Sequence, residues 1–365
     1  MKILLIGEFS RLHWTLAEGL RVLGHEVCVA SDGGGWGKYP CDILLDRPTD
    51  SYKDGFRCLA KILYHLPSFT GFDVVQVIHP YFLRIRAERT LPIYRFLRRH
   101  NEKVFLGAFG TDYYYVKACM ETNTFRYSDF KIGDVYRNID FNRIDIEECL
   151  HGGVAKANKE IAESCDGIIS CLYEYDVSYR PYFPDKTKFI PLPINRSLVT
   201  PRVRYVSDTI NFFIGIQAAK NELKGTDVML PVLEALHHKY PDQCTITKVV
   251  SVPYDEYQRL LNAADVQLDQ LYSYTPSMNS LLAMAKGIVV VGGGEEENYE
   301  ILGETTLRPI VNVLPDADDV YRKLEELLLH KERISELSAQ GIEYVEKYHD
   351  HVRVAQQYLD FWASR

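Results

Sequence analysis

The fold is decided by the stretch K-I-L-L-I-G-E-F-S-R-L-H-W-T-L-A-E-G-L-R-V-L-G-H-E-V-C-V-A-S, residues 2–31. It opens with a short apolar run that predicts a buried strand, and apolar residues then recur at helical spacing at Leu16, Leu20 and Leu23. The run G-H-E-V-C-V-A-S that follows predicts a second strand. A strand, a helix and a second strand in this order indicate a parallel sheet with helices on both faces.

The same alternation continues through both halves of the chain. Further strands are predicted from the runs F-D-V-V-Q-V-I, K-V-F-L-G-A-F-G, D-G-I-I-S-C, I-N-F-F-I-G-I, I-T-K-V-V-S-V, D-V-Q-L-D and I-V-V-V. Further helices are predicted over residues 90–100, 227–240, 255–263 and 350–362, and over T-P-S-M-N-S-L-L-A-M-A-K-G, which Gly287 closes. The chain is therefore predicted to be an α/β protein.

The alternation is interrupted at two places. Residues 112–146 are rich in Tyr and Asp, and we interpret them as an insertion near the carboxyl ends of the strands, where ligand-binding loops lie in such sheets. Residues 191–201 are rich in proline and have no periodicity, which predicts a linker. The prediction is two doubly wound domains joined at this linker.

Composition excludes several classes of protein. With 365 residues and 46% hydrophobic residues the chain is long enough for two cores, and its net charge of −8 argues against a nucleic-acid-binding protein. The eight cysteines lack the short paired spacings of a zinc site, so we expect reduced thiols. The apolar residues 1–9 are too short for a signal peptide, and no apolar run reaches membrane-spanning length, so we expect a cytoplasmic protein.

Four motifs of the second half stand in a fixed order: G-I-Q-A-A-K-N-E-L-K-G-T-D, A-A-D-V-Q-L-D-Q, N-S-L-L-A-M-A-K-G-I-V-V-V and G-G-G-E-E-E-N-Y-E-I-L. Together with F-D-V-V-Q-V-I-H-P, G-T-D and F-I-P-L-P-I-N in the first half, they resemble the GT-B glycosyltransferases, most closely the retaining family four. The resemblance covers almost the whole chain. It implies two Rossmann-like domains facing a cleft, residues 1–198 plus 348–365 for the acceptor and 199–347 for the nucleotide-sugar donor. The last helix then crosses back to the first domain.

The resemblance also implies a set of donor-binding residues. Lys224 matches a lysine that neutralises the donor pyrophosphate, while the family's partner arginine is replaced by Gln217, with Lys220 close by. Two family glutamates, which contact the sugar and the ribose, are replaced by Tyr274 and Leu282. Asp269 and Gln270 match an Asp-Gln pair of some members, and Glu300 matches a glutamate after the glycine-rich loop.

Two candidate sites in this half have simpler alternatives. The helix start at Ser277, Asn279 and Ser280 offers backbone N–H groups and a positive dipole end for phosphate, or it is a plain helix cap. Glu295 follows the three glycines and is a candidate donor contact, although three adjacent acids usually form a solvated loop. Glu300 could equally be an N-terminal helix charge. The triplet Asp-Ala-Asp at 316–318 is interpreted as helix capping, and no metal is expected.

The first half offers fewer candidates. Gly7 and Ser10 belong to the loop after the first strand and are predicted to line the acceptor side. His13 is a candidate catalytic residue or phosphate contact, with a helix-start neighbour as the alternative. Asp112 in G-T-D matches a family aspartate and is the other catalytic candidate, although the histidine that often precedes that motif is Phe109 here.

The function predicted is transfer of a sugar from a nucleoside diphosphate to a saccharide or lipid-linked acceptor in cell-surface glycan synthesis, without a cofactor. Retention of configuration is implied only by the resemblance. The alternatives are a catalytically inactive GT-B subunit, which the missing glutamates favour, and a nucleotide-sugar epimerase. Residues 81–103 hold seven basic and two acidic residues, so Arg95, Arg98 and Arg99 are predicted to touch an anionic membrane, with a solvated helix face as the alternative.

Overall fold

Parallel strands alternate with helices in both halves of the chain, as the apolar runs predict. The computed structural model describes residues 1–34, 37–121, 123–206 and 208–365. These residues form two units, each with its own sheet. The first unit contains Met1–Thr124, Asn142–Pro193 and His351–Arg365, and the second contains Phe125–Phe141 and Ile194–Asp350. The chain thus leaves the first unit inside the proline-rich run, and part of the predicted insertion packs with the second unit.

The first unit is a doubly wound sheet of seven parallel strands in the order β3-β2-β1-β4-β5-β8-β9. Its strands are β1 (Lys2–Ile6), β2 (Glu26–Ser31), β3 (Ile43–Leu44), β4 (Val74–Val77), β5 (Lys103–Ala108), β8 (Gly167–Ser170) and β9 (Thr187–Phe189). Its helices are α1 (Leu12–Val22), α2 (Tyr52–His65), α3 (Ala87–His100), α4 (Tyr113–Glu121), α6 (Gly153–Ser164), α7 (Tyr173–Tyr179) and α15 (His351–Ala363). Helix α5 (Asp140–Ile146) spans the boundary between the two units.

The second unit is a sheet of five parallel strands in the order β11-β10-β12-β13-β14, and a short antiparallel hairpin accompanies it. Its strands are β6 (Lys131–Ile132) and β7 (Val135–Tyr136) in the hairpin, then β10 (Ile210–Ile216), β11 (Cys244–Val250), β12 (Val266–Leu268), β13 (Val289–Gly292) and β14 (Ile310–Asn312). Its helices are α8 (Asn221–Lys224), α9 (Thr226–Lys239), α10 (Tyr254–Asn262), α11 (Met278–Ala285), α12 (Glu296–Leu302), α13 (Ala317–Leu329) and α14 (Arg333–Tyr348).

Helix α15 completes the first unit, which confirms the expected crossing of the chain. Trp362 is fully buried, and its ring lies 6.1 Å from that of Phe105 on β5. At the start of the helix, the backbone approaches α1 so closely that a Cβ on Gly19 would lie 2.3 Å from the carbonyl oxygen of His351. The apolar stripe of the last helix is therefore buried against the first sheet.

Sequence patterns missed the shortest strands and also three long helices, α2, α6 and α14, with 14, 12 and 16 residues. Strands β3, β9 and β14 have two or three residues, too few to show a period-two pattern. The Tyr- and Asp-rich insertion also contains α4 and the β6–β7 hairpin, which were not predicted. Within the described part of the chain, no helix is both long and apolar enough to cross a membrane.

Candidate functional site

Polar side chains follow three neighbouring strands of the second sheet. Gln217 comes directly after β10, Asp269 and Gln270 follow β12, and residues 292–294 are the glycines at the end of β13. Parallel strands end at the same edge of a sheet, and ligands of doubly wound folds bind outside the carboxyl ends. The structure therefore brings the predicted donor-binding residues of these three strands to one edge.

Lys224 lies beside the loop that follows β12. Its carbonyl oxygen accepts a hydrogen bond of 3.0 Å from the N–H of Leu271. Helix α8 ends there because Gly225 adopts a φ of 74°, and a Cβ on Gly225 would lie only 2.5 Å from the Cβ of Leu271. Within the described residues the ammonium group of Lys224 makes no ion pair or side-chain hydrogen bond, so its charge is available to a ligand.

The two other predicted residues after β10 differ in their surroundings. Gln217 is exposed, and its backbone begins the short turn Ala218–Lys220. The ammonium of Lys220 lies 5.9 Å from the ring centre of Phe141. Both side chains lie on the strand-to-helix connection that ends in Lys224, as predicted.

The start of helix α11 is already satisfied by protein groups. The hydroxyl oxygen of Ser277 accepts hydrogen bonds of 3.2 Å from the N–H groups of both Asn279 and Ser280. The hydroxyls of Ser277 and Ser280 each donate to one carboxylate oxygen of Asp269 at 2.6 Å. The Asn279 amide donates to the hydroxyl of Tyr257 at 2.7 Å.

These bonds bear on the predicted phosphate site at Ser277, Asn279 and Ser280, which stays a prediction. Asp269 is only 7% exposed, and it places a carboxylate at the positive end of the helix dipole, where a phosphate was expected. A second anion there would lie next to the first. The structure therefore shows a capped helix start.

The glycines at the end of β13 allow the loop after β13 to contact the loop after β12. A Cβ on Gly293 would lie 2.1 Å from the carbonyl oxygen of Ser273, and one on Gly292 would lie 2.4 Å from that of Asp269. Only glycine allows this approach of the loop after β13 to the loop after β12. Glu295, next in the chain, donates its N–H to the carbonyl oxygen of Tyr274 at 3.0 Å.

Tyr274, which replaces a family glutamate, is covered by a segment from far upstream in the chain. We call Phe125–Phe141, the part of the predicted insertion that packs on the second unit, the cover segment. The N–H of Arg126 donates to the Tyr274 hydroxyl at 2.7 Å, and the Arg126 guanidinium lies 4.9 Å from the centre of the Tyr274 ring. The Tyr127 ring lies 4.8 Å away, and Tyr274 is 1% exposed.

The cover segment is held by the acids after the glycine-rich loop. Arg126 donates to Glu295 at 2.9 Å and forms an ion pair with Glu297, and the hydroxyl of Tyr127 donates to Glu295 at 2.6 Å. Hydrogen bonding to Glu297 raises the pKa of Arg126, whose side chain remains 55% exposed. Glu295 and Glu297 are therefore paired acids and not a solvated loop, whereas Glu300 is exposed.

A second arginine anchors the other end of the cover segment. The Arg137 guanidinium lies 3.3 Å from the centre of the Tyr272 ring. It also donates to the carbonyl oxygens of Asp129 and Glu222, both at 2.6 Å. Glu222 belongs to α8, which ends at Lys224, and Tyr272 belongs to the loop after β12, which lies beside Lys224. The cover segment therefore contacts both α8 and this loop.

In the first unit, the loop after β1 has an unusual backbone. Gly7 has a φ of 89°, and Ser10 and Arg11 have values of 51° and 69°, which side chains rarely adopt. Ser10 is exposed. Glu8 was not predicted: it is 4% exposed, accepts the N–H of Trp14 at 2.9 Å, and burial raises its pKa to about 8.

His13 is buried, and its catalytic role stays a prediction. Its side chain is 0% exposed, and its Nδ1–H donates to the carbonyl oxygen of Gly7 at 2.8 Å. Nε2 is then the acceptor for the Gln76 amide at 3.1 Å. Burial lowers the pKa of His13 to about 3, so the ring is neutral and ties the loop after β1 to β4.

Asp112 is the second catalytic candidate that the structure places inside the protein. It is 0% exposed, and its two carboxylate oxygens accept the Tyr179 hydroxyl at 2.5 Å and the Tyr115 N–H at 3.1 Å. Burial raises its pKa to about 7, above the ordinary aspartate range. Asp112 therefore joins α4 to α7 and has no surface for a substrate in this arrangement.

Asp316 caps a helix, as predicted. Its carboxylate accepts the N–H groups of Asp318 and Asp319, both at 2.9 Å, at the start of α13. Among the residues that the structure describes, no three His, Cys, Asp or Glu side chains form a group able to hold a metal ion.

Comparison with known proteins agrees with this architecture. Residues 216–360 match the family model described as glycosyl transferase-like. Over 100% of both chains, the structure is similar to sucrose-phosphate synthase from Thermosynechococcus elongatus (15% identity, TM-score 0.64) and to Anabaena Alr3699/HepE in complex with UDP-glucose (11%, 0.63). WaaG, a glycosyltransferase involved in lipopolysaccharide biosynthesis, is 13% identical with a TM-score of 0.57 over 99% of each chain. No curated protein sequence is significantly similar.

Proposed function

We propose that the protein transfers a sugar from a nucleoside diphosphate to an acceptor. The GT-B fold and the match of its second half to a glycosyl transferase-like family support this proposal. The proposed acceptor is a saccharide or a lipid-linked acceptor. We propose that the reaction takes place in the cytoplasm and contributes to cell-surface glycan synthesis. The similar protein HepE was crystallised with UDP-glucose, which supports a nucleotide-sugar as the donor.

The observation that carries the proposal is the ammonium of Lys224, which lies at the carboxyl edge of the second sheet and has no carboxylate partner among the residues that the structure describes. A diphosphate needs positive charge, and the start of α11 is occupied by Asp269. Lys224, with Gln217 and Lys220 on the same connection, is then the group that binds the diphosphate, without a metal ion. Tyr274, Glu295 and the cover segment lie around the loop beside it, which favours them as the surroundings of the sugar.

A binding subunit without catalysis is the second candidate function. It is favoured by the burial of His13 and Asp112 and by the two missing glutamates. Retaining transfer on this fold relies on electrostatic positioning and on the donor phosphate, so the absence of those side chains does not exclude activity. The assay that separates the two functions follows release of nucleoside diphosphate from a panel of nucleotide-sugars. Binding without release, with or without acceptor, would identify the binding subunit.

Replacing Lys224 by Ala tests the diphosphate site. The change removes a charge-assisted contact of about 1.5–3 kcal/mol, so affinity for the nucleoside diphosphate should fall at least about tenfold in titration calorimetry. Lys239→Ala is the matched control, because Lys239 lies at the far end of α9, on the order of 20 Å along the helix axis. Equal affinity of wild type and Lys224→Ala would reject the site.

Replacing Arg126 by Ala tests the cover segment. The change leaves Glu295 and Glu297 without their cation, and two uncompensated acids should weaken binding of a nucleotide-sugar by about 1 kcal/mol, or about fivefold. Adding Glu295→Gln and Glu297→Gln should restore the affinity. Arg308→Ala is the control, since it frees Glu296 on the same helix from its ion pair. No loss in Arg126→Ala, or the same loss in the control, would separate the segment from the donor.

A further inference from the structure

Two of the three arginines predicted to touch a membrane are paired with carboxylates in the structure. On α3, both nitrogens of the Arg95 guanidinium bond the Glu160 carboxylate, at 2.6 and 2.7 Å. Arg98 forms an ion pair with Asp166, which leaves only Arg99 of the three predicted contacts without a carboxylate partner among the described residues. The contact of these arginines with a membrane stays a prediction.

Helix α2 presents a different surface. Only Cys58 and Ile62 of its fourteen residues are buried. Four large apolar side chains of the helix point to solvent, and we call them the aromatic stripe: Tyr52 (94% exposed), Phe56 (74%), Leu63 (55%) and Tyr64 (80%). At about 100° per residue, Tyr52, Phe56 and Leu63 fall within about 40° of one another around the helix axis, and Tyr64 lies about 80° further round from Phe56, also on the exposed side.

Cationic residues accompany the aromatic stripe. Helix α2 has three cations, Lys53, Arg57 and Lys61, against one acid, Asp54, although the overall net charge of the chain is −8. Arg57 is 63% exposed and only loosely paired with Asp54, at 3.5 Å. Lys61 is 46% exposed and pairs with Asp46. The helix surface is therefore more positive than the rest of the protein.

We propose that the aromatic stripe docks α2 on a membrane surface with anionic lipid headgroups. Soluble proteins expose scattered apolar residues, whereas four large ones on a single helix beside a row of cations match the surface that interfacial helices use. Tyrosine suits this boundary because its ring enters the apolar layer while its hydroxyl stays in water. Lysine and arginine add attraction to the headgroups.

The docking surface belongs to the first unit, on the connection from β3 to β4. If the proposed transfer to a lipid-linked acceptor is correct, docking brings the unit expected to bind the acceptor to the membrane. That consequence rests on the proposed function, whereas the docking itself does not.

Co-sedimentation of the full chain with vesicles tests the docking. Wild-type protein should sediment with vesicles of phosphatidylcholine and phosphatidylglycerol at low salt, and not with phosphatidylcholine alone. Phe56→Ala combined with Tyr64→Ala should bind at least about tenfold more weakly, because two apolar groups no longer enter the lipid. Arg95→Ala combined with Arg99→Ala is the matched control on α3 and should bind like wild type. In Phe56→Trp, the tryptophan emission should shift to shorter wavelength only with the anionic vesicles.

Two results would overturn the proposal. One is equal sedimentation of wild type and of the Phe56→Ala, Tyr64→Ala variant, or no sedimentation of either. The other is a wild type that elutes as a dimer in size-exclusion chromatography and does not bind vesicles, while this variant elutes as a monomer. That result would show that a second copy covers the aromatic stripe. The proposed function is tested separately, by nucleotide binding to Lys224→Ala. Failure of the docking and failure of the proposed function can therefore be told apart.

Discussion

Replacement of Glu304 by Gln is expected to lower the free energy of unfolding of the second unit by about 3 kcal/mol at neutral pH. Glu304 is 3% exposed, and one carboxylate oxygen accepts the N–H groups of Thr306 at 2.6 Å and Leu307 at 2.9 Å. The other accepts Lys347 and the Tyr348 hydroxyl, both at 2.7 Å. The variant loses the charge that these donors surround.

The pH dependence of this loss follows from the pKa of Glu304. Burial alone would raise that pKa, but the bonds from Lys347, Leu307 and Thr306 hold it well below its ordinary value of 4.5. The carboxylate therefore stabilises the fold above about pH 4.5, and its contribution falls as the pH drops below that value, because the unfolded chain then takes up the proton.

Chemical denaturation at several pH values provides the measurement. The difference between wild type and Glu304→Gln should be largest near neutral pH and shrink in acid. Glu325→Gln is the control: it breaks the surface ion pair with Lys239, and a much smaller change is expected. A difference that stays constant down to acid pH would show that the charge of Glu304 does not stabilise the unit.

Replacement of Trp362 by Ala is expected to cost about 3–5 kcal/mol, with the loss confined to the first unit. Trp362 is 0% exposed, and its ring lies 5.4 Å from Tyr358 and 6.1 Å from Phe105. Its removal leaves a cavity between α15 and β5. In hydrogen exchange, the strands of the first sheet should lose protection while those of the second keep it.

Leu328→Ala is the matched control for Trp362, because Leu328 is 0% exposed in the core of the second unit. This variant should loosen the second sheet and leave the first unchanged. Removal of the chain after Asp350, which deletes only residues of the first unit, should have the same unit-specific effect as Trp362→Ala, but larger. Loss of protection in the second sheet alone after either change would assign α15 to the second unit.

Local patterns predicted the long helices α1, α3, α9 and α15 but not α2, α6 or α14. The apolar stripe of α15 and the runs that became β1, β10 and β13 carry their periodicity in adjacent residues, so no knowledge of distant contacts is needed. Short edge strands such as β3 lack that signal. The crossing of α15 followed from the family resemblance together with a stripe that had no partner nearby in the sequence.

The site was harder to predict because its contacts are distant in sequence. Arg126 and Glu297 are 171 positions apart, and nothing in F-R-Y-S-D-F indicates that the arginine pairs with acids of the second half. A short motif also does not show whether its residues are buried. The sequence G-T-D is the same whether Asp112 faces a ligand or the Tyr179 hydroxyl. Lys224 was assigned from the family resemblance, and its role stays a prediction.

The discontinuity of the first unit affects the order in which the protein can fold as it is synthesised. Its core needs Trp362, yet residues 194–350, which form most of the second unit, leave the ribosome first. At about 5–20 residues per second, β5 therefore remains without Trp362 for tens of seconds, roughly 13–50 seconds. The second unit has its cover segment from the beginning and can complete its sheet earlier. During synthesis, the first sheet is thus the part that exposes apolar surface and depends most on chaperones.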